Sequence, residues 1–274
     1  MTRLILCADD YGLAPGVSRA IARLIAAGRL SATSCMTLMP AWREHAAALR
    51  PLADKADIGL HLTLTDFPPL AAMPGLAPGG RLPTLGRLLA QALLGRLPQD
   101  EILAEFERQL HAFEQAMGRP PAFLDGHKHI QQFPGVRDAV VTLWQRRLRS
   151  SGAWLRIADD FVAADGIKSL PIALLGRGLR RRAARAGIPT NDRFSGIYDL
   201  TDRVPYAALF ERFVAGRAGP GQRLLVMCHP GEVEAELAAA DTLTAQRETE
   251  LRFLEGPDFP PLLARHGLAL GRFH

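Results

Sequence analysis

The chain is poor in cysteine and in aromatic residues. Its 274 residues include three cysteines, and aromatic side chains make up 7% of the sequence. Three cysteines are too few, and odd in number, for a disulfide framework. Because Cys7, Cys35 and Cys228 each lie in an apolar run, we expect buried free thiols and a reducing compartment. With few aromatics and no zinc-finger spacing, a base-stacking surface is not expected, so we predict no nucleic-acid partner.

Long hydrophobic runs are absent as well. No run approaches the length of a transmembrane span, and Met1-Thr2-Arg3 leads directly into the short apolar stretch 4–8 without the features of a signal peptide. We therefore predict a cytoplasmic protein.

The net charge of +5 comes largely from one cluster of five arginines at positions 177–185. Together with the leucines around it, this arginine cluster could make peripheral contact with an anionic membrane. The other interpretation is a solvated helix with a charged outer face.

A common dinucleotide-binding motif and a common serine-hydrolase motif are also missing. The first apolar run is followed by Asp9, Asp10 and Tyr11 rather than by G-x-G-x-x-G, which argues against a dinucleotide enzyme. No G-x-S-x-G occurs, which argues against a serine hydrolase. A nucleophilic Cys228 beside His229 is disfavoured, because neighbours on a strand point to opposite faces.

Short apolar runs alternate with amphipathic segments along the whole chain. Predicted strands cover residues 4–8, 32–38, 58–62, 122–127, 154–157, 223–228 and a short stretch near 268. Predicted helices cover residues 15–27, 42–50, 98–117, 134–149, 167–187, 205–214 and 242–254, with a long loop at 66–83 and irregular chain at 192–198. This alternation predicts a mainly parallel sheet. At this length it fits one domain, residues 1–274, forming a distorted or incomplete (β/α) TIM-like barrel; a doubly wound open sheet is the alternative.

Polar side chains follow four of the predicted strands. They are Asp9 and Asp10, then His61, then Asp125, His127 and His129, and finally His229 and Glu232. The middle set has i, i+2, i+4 spacing, which would place all three on one face of an extended strand. Because the carboxyl ends of parallel strands meet at one edge of a sheet, we expect the whole set to gather there. We expect the other histidines, at positions 45, 111, 266 and 274, to lie on the surface.

Two imidazoles and a carboxylate form a common ligand set for a divalent metal. A second carboxylate can act as general base on water, and a further histidine can protonate a leaving group, which together give metal-assisted hydrolysis of an amide or ester. Plainer interpretations remain open for each residue. Asp9 and Asp10 could cap a helix, His61 could be a core histidine, and His229 could belong to a turn.

The four motifs, taken in order, resemble those of the YdjC-like carbohydrate deacetylases, a family that includes the chito-oligosaccharide deacetylases. The motifs are Ala8-Asp9-Asp10-Tyr11-Gly12, Gly59-Leu60-His61-Leu62-Thr63, Asp125-Gly126-His127-Lys128-His129 and His229-Pro230-Gly231-Glu232. The resemblance implies a distorted barrel, one divalent metal ion (zinc or magnesium) and removal of an acetyl group from an N-acetylated sugar.

The resemblance also implies roles for individual residues. Asp10, His61 and His127 would bind the metal, Asp9 would be the general base, and His229 the acid or oxyanion stabiliser. Residues expected to bind substrate or support the ligands are Tyr11, Asp125, His129, Arg156, Asp192 and Glu232. Many relatives have a histidine where this chain has Lys128, a position that strand alternation would turn away from the metal. Whether His127 or His129 is the ligand stays open.

Residues 155–160 and the arginine cluster resemble the branch of this family linked to hopanoid biosynthesis. That resemblance implies an N-acetylglucosaminyl group carried by a lipid. A non-catalytic carbohydrate- or lipid-binding barrel and a metal-dependent phosphoesterase are the alternatives, and a homodimer is left open.

Overall fold

The protein is built on a parallel sheet of eight strands. The computed structural model describes residues 2–160, 169–199 and 204–274. The strands are β1 (Thr2–Tyr11), β2 (Ala32–Cys35), β3 (Asp57–Leu62), β4 (Phe123–Gly126), β5 (Trp154–Leu155), β6 (Arg193–Ser195), β7 (Arg223–Cys228) and β8 (Leu268–Leu270). Their order is β5-β4-β3-β2-β1-β7-β6, and β8 pairs with the start of β1. All the pairings are parallel, as the alternation of elements predicts.

Helices surround this sheet. They are α1 (Pro15–Ala26), α2 (Trp42–Leu49), α3 (Leu85–Leu93), α4 (Gln99–Met117), α5 (Val136–Leu143), α6 (Ser169–Ala186), α7 (Tyr206–Val214), α8 (Ala235–Ala240), α9 (Ala245–Glu255) and α10 (Phe259–Arg265). Residues 63–84 run from β3 to α3 without a helix or strand, as expected for the long loop. The predicted helix over 167–187 is α6, and its first two residues lie outside the described part of the chain.

The two edges of the sheet curve toward each other. Leu155 in β5 forms an isolated parallel bridge with Thr190, and its N–H donates to the carbonyl of Pro189 at 2.8 Å. The Asn191 side chain then bonds both backbone groups of Ile157, at 2.8 and 2.9 Å. Thr190 and Asn191 lead directly into β6, so these bonds join the β5 edge to the β6 edge. The distorted or incomplete TIM-like barrel is therefore confirmed.

The two faces of β1 pack into different cores. Leu4, Leu6 and Ala8 belong to the large core that includes the surrounding helices. Ile5 and Cys7 belong to a smaller core that also includes residues of β4 to β7. A strand covered on both faces requires a continuous apolar run, which is what residues 4–8 supply. The strand therefore carries Cys7 and, two residues on, Asp9 on its inner face.

Stacked aromatic rings fill part of this inner core. The rings of Phe123 and Trp154 lie 4.3 Å apart, and those of Trp154 and Phe273 lie 4.8 Å apart. A Cβ at Gly59 would lie 2.4 Å from the Phe123 ring, so β3 requires glycine there. These rings pack where β4 and β5 begin, at the sheet edge opposite the predicted site.

Several predicted details are wrong. The sequence pattern misses α3, α8, α10 and β6, all of ten residues or fewer, and β6 lies in the stretch expected to be irregular. His45 is buried rather than on the surface, with its Nδ1 2.8 Å from Ser18 Oγ. The three cysteines, by contrast, are buried free thiols, as predicted.

Candidate metal centre and active site

The backbone of Asp10 brings two consecutive carboxylates into one site. Asp10 has a left-handed backbone (φ 67°), and the pairing of β1 with β2 shifts register between Ala8 and Tyr11. In a regular strand Asp9 and Asp10 would point to opposite faces. The irregularity breaks that alternation, as bulges near functional sites often do. Both side chains are consequently buried among the histidines at the carboxyl ends of the strands.

Asp10, His61 and His127 form a compact ligand set. Asp10 Oδ1 lies 3.0 Å from His127 Nδ1 and 3.4 Å from His61 Nε2. One ligand atom from each residue lies within 4.8 Å of the others, and all three residues are buried. A carboxylate oxygen and two imidazole nitrogens suit zinc or another divalent first-row metal. The three come from β1, β3 and the end of β4, so the barrel assembles the set.

Asp125 and Ser34 orient the His61 imidazole from behind. Asp125 Oδ1 and Ser34 Oγ each lie 2.7 Å from His61 Nδ1, and the Ser34 hydroxyl donates to Asp125. This leaves Nε2 facing Asp10, the arrangement in which a carboxylate fixes the tautomer of a metal-binding histidine. Asp125 therefore supports a ligand, one of the alternatives that the sequence leaves open.

The charges around His61 favour a cation. Burial alone would lower the pKa of His61, but Asp125 and Asp10 outweigh it and raise the pKa to about 10. Without a metal, His61 is therefore protonated at neutral pH. The negative charges of Asp10 and Asp125 stabilise a cation at this position. A divalent ion would replace the His61 proton, so the residues present fit a metal.

His127 and His129 do not lie on a strand. β4 ends at Gly126, and residues 127–132 form a 3₁₀ turn in which Lys128 (φ 56°) and His129 (φ 58°) are left-handed. The predicted strand-face arrangement of Asp125, His127 and His129 is therefore wrong. The turn brings His127 to Asp10. The His129 ring packs edge-on against Phe194, and within the described part of the chain its Nδ1 has no hydrogen-bond partner. His127 rather than His129 therefore has a ring nitrogen within 4.8 Å of ligand atoms of both Asp10 and His61.

Arg156 holds Asp9 with two hydrogen bonds. The fully buried guanidinium donates to Asp9 Oδ1 at 2.6 Å and to Oδ2 at 2.9 Å, and Nη1 lies 3.1 Å from Asp125 Oδ2. Burial would raise the pKa of Asp9, but Arg156 and then His61 outweigh it and lower the pKa to about 2. Asp9 is therefore ionised and fixed in orientation at neutral pH. Arg156 thus contacts both Asp9 and Asp125, and its role toward ligands or substrate stays a prediction.

His229 approaches Asp9 from β7. Its Nε2 lies 4.0 Å from Asp9 Oδ2, its side chain is mostly buried, and its Nδ1 has no partner among the described residues. The His229 backbone N–H donates to Glu250 at 2.6 Å, and Glu250 also accepts from the Tyr198 hydroxyl at 2.6 Å. Glu250, on α9, thus fixes the turn that carries His229.

Arg247, also on α9, binds the other oxygen of Asp10. Its Nη2 donates to Asp10 Oδ2 at 2.6 Å and to Asp241 at 2.8 Å, and its carbonyl accepts from the Gly231 N–H. Arg247 and Glu250 are fully buried. Neither residue is predicted from the sequence, because α9 is rich in charge and resembles a surface helix. Their spacing of three, which places them on one helix face, is the only signal available.

Three predicted residues lie apart from this cluster. Tyr11 is buried and donates its hydroxyl to the carbonyl of His45. Asp192 pairs with Arg223, where β7 begins, at the opposite edge of the sheet. Glu232 pairs with Arg19 and Arg23 of α1. The structure does not bring these side chains to the ligand set.

The long loop 63–84 adds two residues beside the site. The Phe67 ring lies 6.2 Å from the His127 ring, and the Lys128 ammonium lies 2.6 Å from Asp66 Oδ2. An exposed ion pair of this kind contributes about 0.2–1 kcal/mol, whereas a left-handed residue other than glycine costs about 1–2 kcal/mol. The left-handed backbone of Lys128, and not strand alternation, sets the direction of its side chain, which pairs with Asp66.

The arginine cluster lies on α6, whose apolar residues largely face the protein. Ala173 and Leu179 are buried, while Leu174 is the one large apolar side chain exposed on the described part of the helix. Arg180 pairs with Asp159, and Arg182 with Asp138. Among the described residues, no helix combines the length and the apolar character needed to cross a bilayer.

The fold and the site define a (β/α)-barrel protein with a buried His-His-Asp group that could hold a metal ion. The chain matches the family model described as "YdjC-like protein" over residues 3–265. The chain therefore belongs to the YdjC-like family.

Similar proteins include the chitooligosaccharide deacetylases of Serratia marcescens and Citrobacter koseri, which are 30% and 32% identical over 98% of this chain and 97% of each relative. The carbohydrate deacetylase of Geobacillus stearothermophilus is 29% identical over 97% of this chain and 94% of the relative. A crystal structure of a candidate cellobiose-phosphate cleavage protein from Enterococcus faecalis V583 shares the fold. Its TM-score is 0.75 at 20% identity, and the match covers 99% of this chain and 97% of that one.

Proposed function

We propose that this protein is a metal-dependent hydrolase that removes the acetyl group from an N-acetylglucosamine-containing glycan. The observation that carries the proposal is the buried set of Asp10, His61 and His127, with Asp9 beside it. The names of the relatives support the reaction, because those matched over nearly their full length are deacetylases of chito-oligosaccharides or of carbohydrates.

Asp10, His61 and His127 would hold one divalent ion. When bound, that ion would polarise the acetyl carbonyl and make a water molecule more acidic. Asp125 and Ser34 keep the His61 Nε2 directed at Asp10. The nitrogen ligands favour zinc, although magnesium is the other candidate.

Asp9 is the proposed general base. A carboxylate with a pKa of about 2 is a weak base. Asp9 could therefore accept a proton only from water that a metal has made more acidic. Arg156 keeps Asp9 ionised and fixes both of its oxygens. Asp9 would accept the proton of the water molecule that attacks the acetyl carbon.

His229 is the proposed acid for the departing amine. Its ring lies across from Asp9, with Nε2 4.0 Å from the nearer carboxylate oxygen. In the protonated form it could stabilise negative charge on the acetyl oxygen and then donate a proton to the sugar amine. Glu250 accepts a hydrogen bond from the His229 backbone N–H and so fixes the turn that carries the ring.

A free glycan is the proposed substrate, and a glycosylated hopanoid lipid is the alternative. The described part of α6 exposes one large apolar side chain, Leu174, which offers little apolar surface to a membrane. Peripheral membrane contact, a cytoplasmic location and a homodimer all stay predictions.

A phosphoesterase that uses two metals is less well supported. A second group of possible ligands, Cys7, Asp9 and Asp125, lies beside the first. The Arg156 guanidinium already contacts all three side chains, at 3.9, 2.6 and 3.1 Å. The positive charge of Arg156 therefore occupies the position between these side chains where a second metal ion would bind.

Paired variants test the proposal. Asp9→Asn should abolish deacetylation of a short N-acetylated chito-oligosaccharide while leaving metal content unchanged, whereas Asp10→Asn should lower both. Metal content is measured by elemental analysis and turnover by mass spectrometry. Loss of metal from Asp9→Asn would reverse the two assignments. A wild-type protein that binds the sugar but never deacetylates it would favour the non-catalytic alternative.

A further inference from the structure

We propose that Asp66 and Lys128 form a subsite that binds hydroxyl groups of the sugar substrate at the edge of the metal centre. The inference rests on the proposed function and specifies how that site recognises a sugar. Lys128 follows His127 directly, and Asp66 lies in the loop after His61 on β3. The two groups are 2.6 Å apart, with side chains 39% and 29% exposed. Both are therefore accessible from solvent beside a buried cation site.

Lys128 keeps the Asp66 carboxylate ionised. Burial would raise the pKa of Asp66, but the hydrogen bond and the charge of Lys128 outweigh burial and lower the pKa. Asp66 is therefore ionised at neutral pH. A carboxylate accepts hydrogen bonds from hydroxyls and an ammonium donates to them, so the pair can bind both sides of a sugar hydroxyl.

The backbone at this pair is unusual in both residues. Asp66 (φ 66°) and Lys128 (φ 56°) are two of the four non-glycine residues with positive φ in the described chain, and the other two are Asp10 and His129. Aspartate is one of the residues that adopt this conformation relatively often, whereas lysine is not. Glycine would adopt it without strain. An exposed ion pair contributes less than that strain costs. Folding stability therefore does not account for a lysine at position 128.

The ion pair is not needed to hold the loop in place. Four backbone N–H groups of the loop donate to side chains of α4 instead. Gly75 and Leu76 donate to Glu101, Leu70 donates to Glu105, and Thr63 donates to Gln109. Within the loop, the Asp66 N–H donates to the Pro83 carbonyl, and the Leu82 N–H to that of Phe67. Because the loop is anchored along its length, a latch formed by Lys128 would be redundant.

Lys128→Gly separates a sugar subsite from a structural latch. Glycine removes the ammonium and relieves the left-handed strain, so the melting temperature should stay within about 3 °C of wild type. The KM for a short N-acetylated chito-oligosaccharide should rise about tenfold, the effect of losing one hydrogen bond to a charged group. The kcat should change less than about threefold, and metal content should not change.

Asp138→Asn is the matched control. It breaks the 2.8 Å ion pair between Asp138 and Arg182, which lies on the outer helices and is about as exposed as the pair of Asp66 and Lys128.

A charge reversal provides the second arm of the experiment. The double variant Asp66→Lys with Lys128→Asp recreates an ion pair with its donor and acceptor exchanged. A subsite predicts that KM stays high, whereas a latch predicts that KM and the melting temperature return to wild-type values. Recovery in the double variant, or an unchanged KM in Lys128→Gly, would overturn the inference while leaving the deacetylase proposal intact. A wild-type protein that neither binds nor deacetylates the oligosaccharide would overturn both.

Discussion

A single left-handed residue, Asp10, gives the site its second carboxylate. The sequence places Asp9 and Asp10 after a buried strand, but regular alternation would turn only one of them inward. The structure resolves this conflict with a register shift in β1. That shift could not be predicted from the residue pattern, because aspartate in a left-handed conformation leaves no distinct mark in the sequence.

Asp125 provides a prediction about metal affinity. Asp125→Asn keeps a hydrogen-bond acceptor for His61 but loses the negative charge that makes the imidazole a stronger ligand. We expect affinity for the divalent ion to fall about 10- to 100-fold, the usual effect of losing such a carboxylate. Calorimetric titration of the metal-free protein measures this. Ser34→Ala removes only a hydroxyl contact to the same ring and should have a smaller effect. Equal affinity in Asp125→Asn and wild type would contradict the orienting role.

Asp57, at the start of β3, provides a prediction about pH and stability. Burial raises the pKa of Asp57, and its Oδ2 accepts from the Phe273 N–H at 2.8 Å. The folded protein therefore binds this proton more tightly than the unfolded chain does, so the free energy of unfolding falls as pH rises through the usual Asp pKa and then the raised one.

Asp57→Asn keeps an acceptor for Phe273 and removes the buried charge. Its melting temperature should exceed that of wild type at pH 7. The difference should shrink as pH falls through the raised pKa and should be gone below the usual Asp pKa. Thermal unfolding between pH 3 and pH 7 tests this. Asp54→Asn is the control, because the Asp54 side chain is 94% exposed. If the difference in melting temperature between Asp57→Asn and wild type grew toward low pH, the buried charge of Asp57 would not be its cause.

Among the helices, α9 supports the site in two places. Arg247 binds Asp10, and Glu250 binds the backbone of His229. The buried face of α9 therefore carries charge, which reverses the usual amphipathic pattern. The sequence predicts a helix near these residues but assigns its charged side chains to solvent. The partner of Arg247, Asp10, lies more than 200 positions earlier in the chain, so no local pattern reveals the contact.

The two residues of α9 should have separable effects. Arg247→Lys keeps the charge but cannot reproduce the planar guanidinium that bridges Asp10 and Asp241, so metal affinity should fall at least about tenfold. Glu250→Gln loses the charged acceptor for the His229 backbone, so kcat should fall about tenfold while metal affinity stays unchanged. Titration calorimetry and steady-state kinetics distinguish these results. The reverse pattern would show that α9 supports the site differently.

At the scale of the whole molecule, the fold was predictable and the closure of the barrel was not. Alternating apolar runs and amphipathic helices indicate a parallel sheet of about the observed size. The edges are joined, however, by one bridge at Leu155 and by the side chain of Asn191, and neither belongs to a periodic pattern. The short elements α8, α10 and β6 are equally hard to predict, because they contain too few residues to show a period.

The candidate site shows the same division. The rule that polar residues gather at the carboxyl ends of parallel strands predicts a site of eight residues: Asp9, Asp10, His61, Asp125, His127, His129, His229 and Glu232. The structure brings Asp9, Asp10, His61, Asp125, His127 and His229 together. Glu232 instead pairs with Arg19 and Arg23. The catalytic roles of Asp9 and His229 stay predictions. Arg247 and Glu250 depend on a helix that packs against the site from a distant part of the chain, which no local motif reveals.

Loss of one acetyl group from an N-acetylated chito-oligosaccharide is the most direct test of the proposed function. The protein is stripped of metal with a chelator, divided, and incubated with the glycan either as it is or after addition of zinc or magnesium. Mass spectrometry should show a product lighter by one acetyl group only in the reloaded samples, and Asp9→Asn should give none. Equal deacetylation by the stripped protein, or an intact glycan in every sample, would contradict a metal-dependent deacetylase.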